Sequence, residues 1–330
     1  MLFEHRLCLL VAALRSHNIT FCSVGNSSSP ISATYIPTII NSSSQILYCS
    51  ANVPSDSSMA HARAAVFALT TINRTNPTGV SRFCCTTNYG EDKYAYVPFF
   101  PASRSDNEGS GVRGFSLGLE NGALVKKLLK LAGSIVNVEK VLSEGMLEAL
   151  KPVARICGAT ARKCGCKFLG IDPSINFPLS PIDSVTSAFE KFSEGLMGTL
   201  AGAAAATAAL RSLPIPTVGY KGILLNEDVE ISDNFSAKNI FTKNLSISTT
   251  CGVEVNTISV PFETSQEELA TMLLEVAALS RRQTKPLACR VVISPKKVTF
   301  NRARTADIVA QSGPTFLGCD SEIQELVFQN

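Results

Sequence analysis

The residues best suited to chemistry in this sequence cluster in STTCGVEVNTIS, residues 248–259. A strand that ends near Cys251 and then resumes would bring thiol, hydroxyl and amide groups to one pocket mouth, where Gly252 lets a ligand approach the main chain. Cys251 is a candidate catalytic nucleophile if a cation such as Arg290 stabilises its thiolate. Ligand binding without catalysis and a purely structural role are the alternatives. The predicted substrate-binding residues of this cluster are Thr249, Thr250, Gly252, Asn256 and Arg290.

A second candidate group follows the apolar run in KFLGIDPS, residues 167–174. The run predicts a buried strand, and α/β proteins commonly place ligand groups just after such a strand. Asp172 is therefore a candidate catalytic residue and Ser174 a candidate substrate-binding residue. An Asp-Pro-Ser sequence also forms ordinary turns, in which the aspartate accepts hydrogen bonds from nearby amides. Both interpretations stay open.

Histidine is scarce in the chain. The only three histidines are His5, His17 and His61, all in the first fifth of the sequence. A cysteine nucleophile that needs a histidine base would therefore have to use His61. A histidine-rich metal site is excluded from the rest of the chain.

Two adjacent cysteines, Cys84 and Cys85, precede an Arg-Gly-aromatic run by about thirty residues. The combination raises the hypothesis of a stored glycyl radical, which also requires a glycine in an Arg-Val-containing loop near the C-terminus. No glycine follows Arg290 and Val291 within reach, so radical chemistry is not expected. In a strand, neighbouring side chains face opposite sides, so at most one of the two thiols can face a site. Burial as small hydrophobes is the alternative.

The other cysteines do not predict a metal or a disulfide framework. Cys157, Cys164 and Cys166 lack a fourth ligand at the spacing that structural zinc sites use. The chain has 11 cysteines in 330 residues, without framework spacing. This usage suits reduced thiols in a reducing compartment, so we expect a cytoplasmic protein. No metal and no cofactor are predicted.

Composition excludes several function classes. Hydrophobic residues make up 45% of the chain, and the net charge is only +3, with no tryptophan. Such a chain lacks the strong field and the aromatic platforms that nucleic-acid binding uses, so no nucleic acid is expected as a partner. The apolar start of the chain favours a short helix over a signal peptide, because Glu4 occupies the region that would be basic. No membrane segment is predicted.

Helical and strand patterns alternate along the whole chain, which favours an α/β fold with helices outside a buried sheet. The clearest helix runs from about Ser265 to Arg282, with Thr264 and Glu267 as its capping box. A long helix after residue 138 is expected to be interrupted near Pro152. Gly198 and Gly202 predict close packing rather than binding. No repeat and no linker divide residues 1–330, so a single α/β domain is expected.

A family resemblance runs from about residue 19 to residue 305. It is carried, in order, by FFPAS, GFSLGLE, FLGIDPSINFPLSP, GTLAGAAAATAALRSLPI, TTCGVEVNTISVP and KPLACRVVISPKK. The series resembles the uncharacterised family known as domain of unknown function 711, whose members are similar in fold to pyruvate formate-lyase. The resemblance implies an α/β barrel of about ten strands, built from two half-barrels with helices outside. Members usually carry further residues, including an early strand, ahead of the start of this chain. The resemblance therefore predicts a barrel that is incomplete at its N-terminus.

The chain also departs from the pattern of that family. Ser103 and Arg104 stand where members tend to have Tyr-His, and Asn256 stands where they tend to have Asp. The loss of a titratable histidine and a carboxylate weakens any acid–base role at these positions. The expected function is that of a non-radical enzyme, or a former enzyme, that binds a small polar metabolite at the strand ends. The alternatives are a metabolite-binding regulatory protein and a structural subunit, and assembly into a homo-oligomer stays open.

Overall fold

A computed structural model describes residues 2–42, 45–54, 56, 58–87, 113–119, 121–175, 186–189, 192, 196–219, 221–222, 257–283 and 287–293. In these ranges helices alternate with strands, as the sequence pattern predicts. None of the helices in the described part of the chain is both long enough and apolar enough to cross a membrane.

The helices and strands are labelled in chain order. The helices are α1 (Leu2–Ser16), α2 (Pro30–Ala33), α3 (Ile36–Ser42), α4 (Met59–Thr75), α5 (Gly122–Ala132), α6 (Val138–Lys163), α7 (Thr186–Phe189), α8 (Leu196–Arg211) and α9 (Gln266–Gln283). The strands are β1 (Cys22–Ser27), β2 (Leu47–Val53), β3 (Phe83–Thr87), β4 (Gly114–Gly118), β5 (Lys167–Asp172), β6 (Thr257–Val260) and β7 (Leu287–Ile293). Short 3₁₀ turns cover Pro77–Arg82 and Ile135–Asn137.

The strands form two separate sheets, so the predicted barrel of about ten strands from two half-barrels is wrong. A five-stranded sheet has the order β1-β2-β3-β7-β6, and a two-stranded sheet pairs β4 with β5. Strands β1, β2 and β3 are parallel, whereas β7 runs antiparallel to β3 and parallel to β6. Strands β4 and β5 are parallel to each other. Among the described strands no pairing closes either sheet into a barrel.

The physical reason for this error lies in strand pairing. Alternating helix and strand patterns identify an α/β chain, but they do not say which strands hydrogen-bond to one another. Barrel closure requires a consistent tilt and stagger of every strand. The number of domains, expected to be one over residues 1–330, stays a prediction.

One face of the five-stranded sheet forms the larger hydrophobic core. Helices α4 and α9 pack on this face, against alternating residues of β2, β3 and β7. Phe83 and Cys85 of β3 lie in this core, whereas Cys84 lies in a separate small cluster with Ala288. The alternation predicted for the two neighbouring thiols is therefore confirmed. Phe83 is 2% exposed, and burial of such a side chain stabilises the fold by about 1.5–3 kcal/mol.

A second hydrophobic core surrounds the two-stranded sheet. Helices α5, α6 and α8 contribute its apolar side chains, together with Ile171 of β5 and Phe189 of α7. Helix α6 continues through Pro152, so the predicted interruption is wrong. Pro152 and Glu148 both lie on the exposed side of the helix. The carbonyl of Glu148, which loses its usual donor to the proline ring, is therefore within reach of water.

The predicted helix near residue 265 is confirmed, but its capping box lies one residue later than expected. The Ser265 hydroxyl accepts a hydrogen bond from the Glu268 main-chain N–H at 3.2 Å, and the Glu268 carboxylate accepts one from the Ser265 N–H at 2.8 Å. Glu267 instead pairs with Arg63 of α4, with 2.8 Å between Nη2 and Oε1. Both side chains of this pair are exposed, so it contributes little stability.

The packing role predicted for Gly202 gives a testable outcome. A Cβ at Gly202 would overlap the ring of Phe189. Gly202→Ala should therefore lower the free energy of unfolding by about 1–2 kcal/mol, although alanine favours helices by about 1 kcal/mol. Gly158→Ala on α6 is the matched control, because the nearest atom to its Cβ would be Arg162 Nη1 at 3.7 Å. Urea unfolding should show that the control is neutral or stabilised; equal losses in both variants would contradict the packing role.

Candidate functional site

Asp172 is the last residue of β5 and lies at the carboxyl end of the parallel pair β4–β5. It is in register with Gly118 of β4. On the other side of β5, Ile171 forms a parallel bridge with Thr217, with hydrogen bonds of 2.9 Å to Pro216 O and from Val218 N. Asp172 therefore ends the predicted strand, of which only the last three residues are buried, and Pro216 to Val218 run beside it.

Ser174 holds the Asp172 carboxylate. Its main-chain N–H donates to Asp172 Oδ1 at 3.0 Å and its hydroxyl donates to the same oxygen at 2.6 Å. The Ser174 hydroxyl also accepts a hydrogen bond from Gly222 N at 3.3 Å. Two of the residues predicted for the site are thus in direct contact, and Ser174 links Asp172 to the 216–222 segment.

Burial raises the pKa of the Asp172 carboxyl, because the side chain is only 4% exposed. The hydrogen bonds from Ser174, the main-chain N–H of Lys221 and the positive charge of Lys221 act in the opposite direction. The charged form is therefore penalised by loss of water and only partly compensated. A carboxyl group of this kind exchanges protons at a higher pH than an exposed aspartate does.

Glycine is required beside this carboxylate. Gly219 has a φ of +76°, and a Cβ there would overlap the carboxylate of Asp172. Asp172 is thus enclosed by Ser174, by the main chain at Lys221 and by Gly219. The enclosure favours the interpretation that Asp172 anchors the main chain at Gly219, Lys221 and Gly222 and leaves little room for a ligand at its oxygens.

A buried amide, that of Asn121, contacts the main chain next to Asp172. Asn121, which precedes α5, donates from Nδ2 to Pro173 O at 3.0 Å. Its Oδ1 is buried, and no residue in the described ranges donates to it. Asn121 therefore fixes the main chain between Asp172 and Ser174 from the side of α5.

The other residues predicted for the site do not join Asp172 in the part of the chain that the structure describes. Arg290 lies on β7, in the five-stranded sheet, and is half-buried. Outside the described residues lie Cys251, Thr249, Thr250, Gly252 and Asn256. Their roles as nucleophile and ligand-binding residues stay predictions.

Arg290 belongs to a second polar cluster, which the sequence reasoning missed. The face of the five-stranded sheet opposite α4 and α9 carries polar side chains on four neighbouring strands, and we call it the polar face. Its members are Asn26, Tyr48, Ser50, Asn52, Cys84, Thr86 and Arg290, with Arg82 adjoining at the start of β3. The signal was present in β2, where Tyr48, Ser50 and Asn52 alternate with apolar core residues.

Hydrogen bonds fix the orientation of Asn26 on this face. Its Oδ1 accepts from the Ser50 hydroxyl at 2.9 Å and from the Thr86 hydroxyl at 3.0 Å. The amide oxygen therefore faces both hydroxyls, and the Nδ2 group lies on the other side of the amide. Within the described ranges, no residue accepts a hydrogen bond from Nδ2. Ser50 and Thr86 are fully buried, so the amide is held rigidly.

Two arginines and a tyrosine complete the polar face. Arg82 donates from Nη1 to Leu47 O at 3.2 Å. Burial raises the pKa of the Tyr48 hydroxyl, and the charges of Arg82 and Arg290 oppose this rise. Both guanidinium groups therefore act on the same tyrosine. Burial lowers the pKa of Arg82, but an arginine starts so high that it stays charged at neutral pH.

His61 does not serve a nucleophile within the described part of the chain. Its Nδ1 contacts the Ser58 hydroxyl at 2.7 Å, and its Nε2 contacts Ser28 O at 3.3 Å. A carbonyl only accepts, so Nε2 donates to Ser28 O. Both ring nitrogens are thus used in joining the start of α4 to the segment after β1. The pairing of His61 with Cys251 stays untested.

The cysteines of the sheet differ by face. Cys84 lies on the polar face, between Ser50 of β2 and the position of Arg290 on β7. Cys85 lies in the core opposite Cys289, and burial raises the pKa of the Cys85 thiol well above its usual range. A buried protonated thiol of this kind is inert. No group of three metal-binding side chains occurs among the described residues, which include Cys157, Cys164 and Cys166.

The contact between Gly219 and Asp172 can be tested by a double-mutant cycle. Gly219→Ala should destabilise the fold by about 1–2 kcal/mol for its left-handed backbone and by about 1–3 kcal/mol more for the overlap with the carboxylate. Gly133→Ala is the matched control, because Gly133 has a φ of +66° with no atom within 4 Å of its would-be Cβ. In Asp172→Ala, the Gly219→Ala loss should fall to the level of the control. Additive losses, measured by urea unfolding, would refute the contact.

The raised pKa of Asp172 predicts a pH dependence of stability. A carboxyl whose pKa is higher in the folded chain stabilises the fold fully below its ordinary value of 3.8. That contribution is lost as the pH rises through the raised pKa. The unfolding free energy of Asp172→Asn should therefore approach that of the natural chain as the pH rises from 3.8 through the raised pKa. Asp56→Asn, at an exposed aspartate, serves as the control; a difference between Asp172→Asn and the natural chain that does not change with pH would contradict the shift.

Comparison with known proteins identifies the family but no activity. The sequence profile of the family described as "Uncharacterised ACR (DUF711)" matches residues 11–299. No curated protein matches the sequence significantly. The match spans both sheets, the polar face and the turn around Asp172. The chain therefore belongs to the DUF711 family of uncharacterised proteins.

Proposed function

We propose that this protein is a non-radical enzyme, or a former enzyme, that binds a small polar metabolite on the polar face of its five-stranded sheet. The observation that carries the proposal is the row of polar side chains that crosses neighbouring strands on this face. Asn26 is in register with Ser50, and Ser50 with Cys84. Cys85 pairs with Cys289 across the antiparallel strands β3 and β7. Cys84, one residue earlier on β3, therefore lies opposite Arg290, one residue later on β7.

Packing alone does not account for such a row. The opposite face of the same strands is apolar and forms the larger core. Burial of polar groups is unfavourable unless each group is hydrogen-bonded. Polar sets of this kind, fixed in orientation and partly accessible, are typical of sites that bind small molecules. Asn26, Asn52 and Arg290 are half-buried, so they retain access from one side.

In this proposal Asp172 anchors the main chain at Gly219, Lys221 and Gly222. Its oxygens are contacted by Ser174, Lys221 N and Gly219, which supports an indirect role better than contact with a ligand. The raised pKa of Asp172 also fits a role in proton transfer. A carboxyl that stays protonated to a higher pH is a better proton donor near neutral pH.

Binding without turnover is the second candidate function. The titratable side chains of the polar face are Tyr48, Cys84 and the two arginines. Burial raises the pKa of Tyr48, and arginine stays protonated, so neither accepts a proton readily near neutral pH. A metabolite-binding regulatory protein needs no such base.

A cytoplasmic location is part of the proposal. The described cysteines, which include the directly opposed pair Cys85 and Cys289, are free thiols. Residues paired across antiparallel strands have Cα atoms about 4.5–5.5 Å apart, which is a distance that disulfides span. Free thiols at such a distance fit a reducing compartment.

A thermal-shift screen of amino acids, organic acids and sugar phosphates tests the proposal. A ligand at 100 times its Kd stabilises the folded chain by about 2.7 kcal/mol. Asn26→Ala should abolish most of the ligand-induced rise in Tm, because the amide is held towards the site. Asn41→Ala is the matched control, since Asn41 is an exposed asparagine that bonds only to Thr75 among the described residues.

The outcomes separate the two candidate functions. Product formation, followed by NMR of the bound ligand, would support an enzyme. Binding that depends on Asn26 without any product would support the regulatory alternative. No stabilising ligand, or equal stabilisation of Asn26→Ala and Asn41→Ala, would count against binding on the polar face.

A further inference from the structure

We infer that two copies of this chain pair through an apolar patch on α1 and on the helical turns of α2 and α3. This patch, which we call the dimer face, consists of Phe3, Leu9, Leu10, Ile31 and Tyr35. The inference goes beyond the proposed function, because it concerns a surface outside the polar face. It is carried by the exposure of these side chains, by the contact that joins them and by the area that a stable dimer requires.

Helix α1 carries apolar side chains on its outer side as well as on its inner side. The inner stripe packs against the first residues of β1 and β2 and consists of Leu7, Val11 and Leu14. On the outer side, Phe3 is 40% exposed, Leu9 57% and Leu10 36%. A surface helix normally has polar residues on the side that faces water. The outer side of α1 therefore has the composition of a covered surface.

A ring contact joins α1 to the residues that follow α2. The centroids of the Phe3 and Tyr35 rings lie 5.3 Å apart, with the planes tilted by 56°, which is within the range of favourable aromatic pairs. Ile31 precedes Tyr35 by about one helical turn, and these two residues are 74% and 50% exposed. Leu10 follows Phe3 by about two turns of α1, with Leu9 next to it. The five side chains therefore form one surface, unlike the singly exposed apolar residues that are normal on any protein.

The exposed area of the dimer face matches what a stable dimer requires. A large apolar residue has about 200 Å² of surface, and the five residues are between 36% and 74% exposed. The dimer face therefore presents about 500 Å² of apolar surface. A standard interface buries about 800 Å² on each partner, of which about 60% is apolar. The apolar part of such an interface is thus already present on each copy.

A second copy of the chain meets the requirements of this surface. In an isologous interface the same patch lies on both sides, so apolar residues face apolar residues. Helix α1 has Glu4 in its first turn and Arg15 in its last turn. Antiparallel alignment of the two α1 helices therefore brings opposite charges near each other at both ends. Arg6, which lies between Phe3 and Leu9 along α1, is exposed, and an arginine stem can cover apolar surface while its guanidinium reaches water.

Sedimentation equilibrium of the full 330-residue chain tests this inference. The natural chain should form a dimer with twice the mass of the 35.2 kDa chain. Leu9→Lys and Ile31→Lys should each raise the dissociation constant of the dimer by about ten-fold or more, because they place a charge in an apolar interface. Both positions are exposed in a single copy, so thermal unfolding of the diluted variants should match that of the diluted natural chain.

Matched controls carry the same change on exposed apolar residues elsewhere. Val136 of the second 3₁₀ turn and Ile156 of α6 are 85% and 62% exposed. Val136→Lys and Ile156→Lys should leave the dissociation constant of the dimer unchanged. A dimer that Leu9→Lys and Ile31→Lys do not weaken, or that the control variants weaken equally, would overturn the assignment of the dimer face.

A chain that stays monomeric at every concentration would overturn the inference as well. Alkylation of an Ile31→Cys variant, followed at residue 31 by mass spectrometry, then separates the other occupants of the patch. Slow labelling indicates a cover from the same chain, and rapid labelling leaves the patch open to a different protein. Neither result depends on ligand binding, so the proposed function is tested separately.

Discussion

The alternation of side chains along the strands of the five-stranded sheet is the constraint on which the rest of the structure depends. Successive residues of β2 and β3 point to opposite faces, so one short sequence supplies both a core and a polar face. Cys49, Ala51 and Val53 meet α4 and α9, whereas Ser50 and Asn52 face the other way. A shift of the strand pairing by one residue would exchange these faces, so the apolar core also fixes the position of every polar side chain opposite it.

The two faces have different energetic roles. The core face is stabilised by burial of apolar surface. Small residues on α4 allow this helix to approach the strands closely. The side chains of the polar face are fixed by hydrogen bonds such as those from Ser50 and Thr86 to Asn26. A hydrogen-bonded polar group that is buried contributes little net stability, about 0.5–1.5 kcal/mol. The stability of the sheet therefore comes mainly from the core face.

Local features of the chain were predictable from sequence, and pairing at long range was not. The strand at residues 167–172 and the helix near residue 265 follow from patterns within a few residues. The capping box lies one residue later than predicted because Thr264 and Ser265 are both good caps, and each is followed three residues later by a glutamate, Glu267 or Glu268. The barrel was wrong because it requires knowledge of which strands pair across the whole chain.

The candidate site shows the same division between local and long-range information. Asp172 and Ser174 were predicted together because they are two residues apart, and the structure joins them. Gly219, the main chain of Lys221 and Asn121 were missed, since they reach the turn from more than forty positions away. Arg290 was expected beside Cys251, but its described neighbours on the polar face come from other strands. The alternating polar residues of β2, Tyr48, Ser50 and Asn52, were a local signal for the polar face.

Cys84 and Cys85 are adjacent in sequence but lie on opposite faces of the sheet. The adjacent thiols suggested radical chemistry, but one of them, Cys85, is sealed in the core with a strongly raised pKa. Cys84 lies on the polar face beside Ser50, in a row that ends at a guanidinium group. A sheet under selection for stability alone would favour apolar residues at these buried positions, because hydrogen-bonded polar groups there add little to the free energy of unfolding. Stability alone therefore does not account for the polar row.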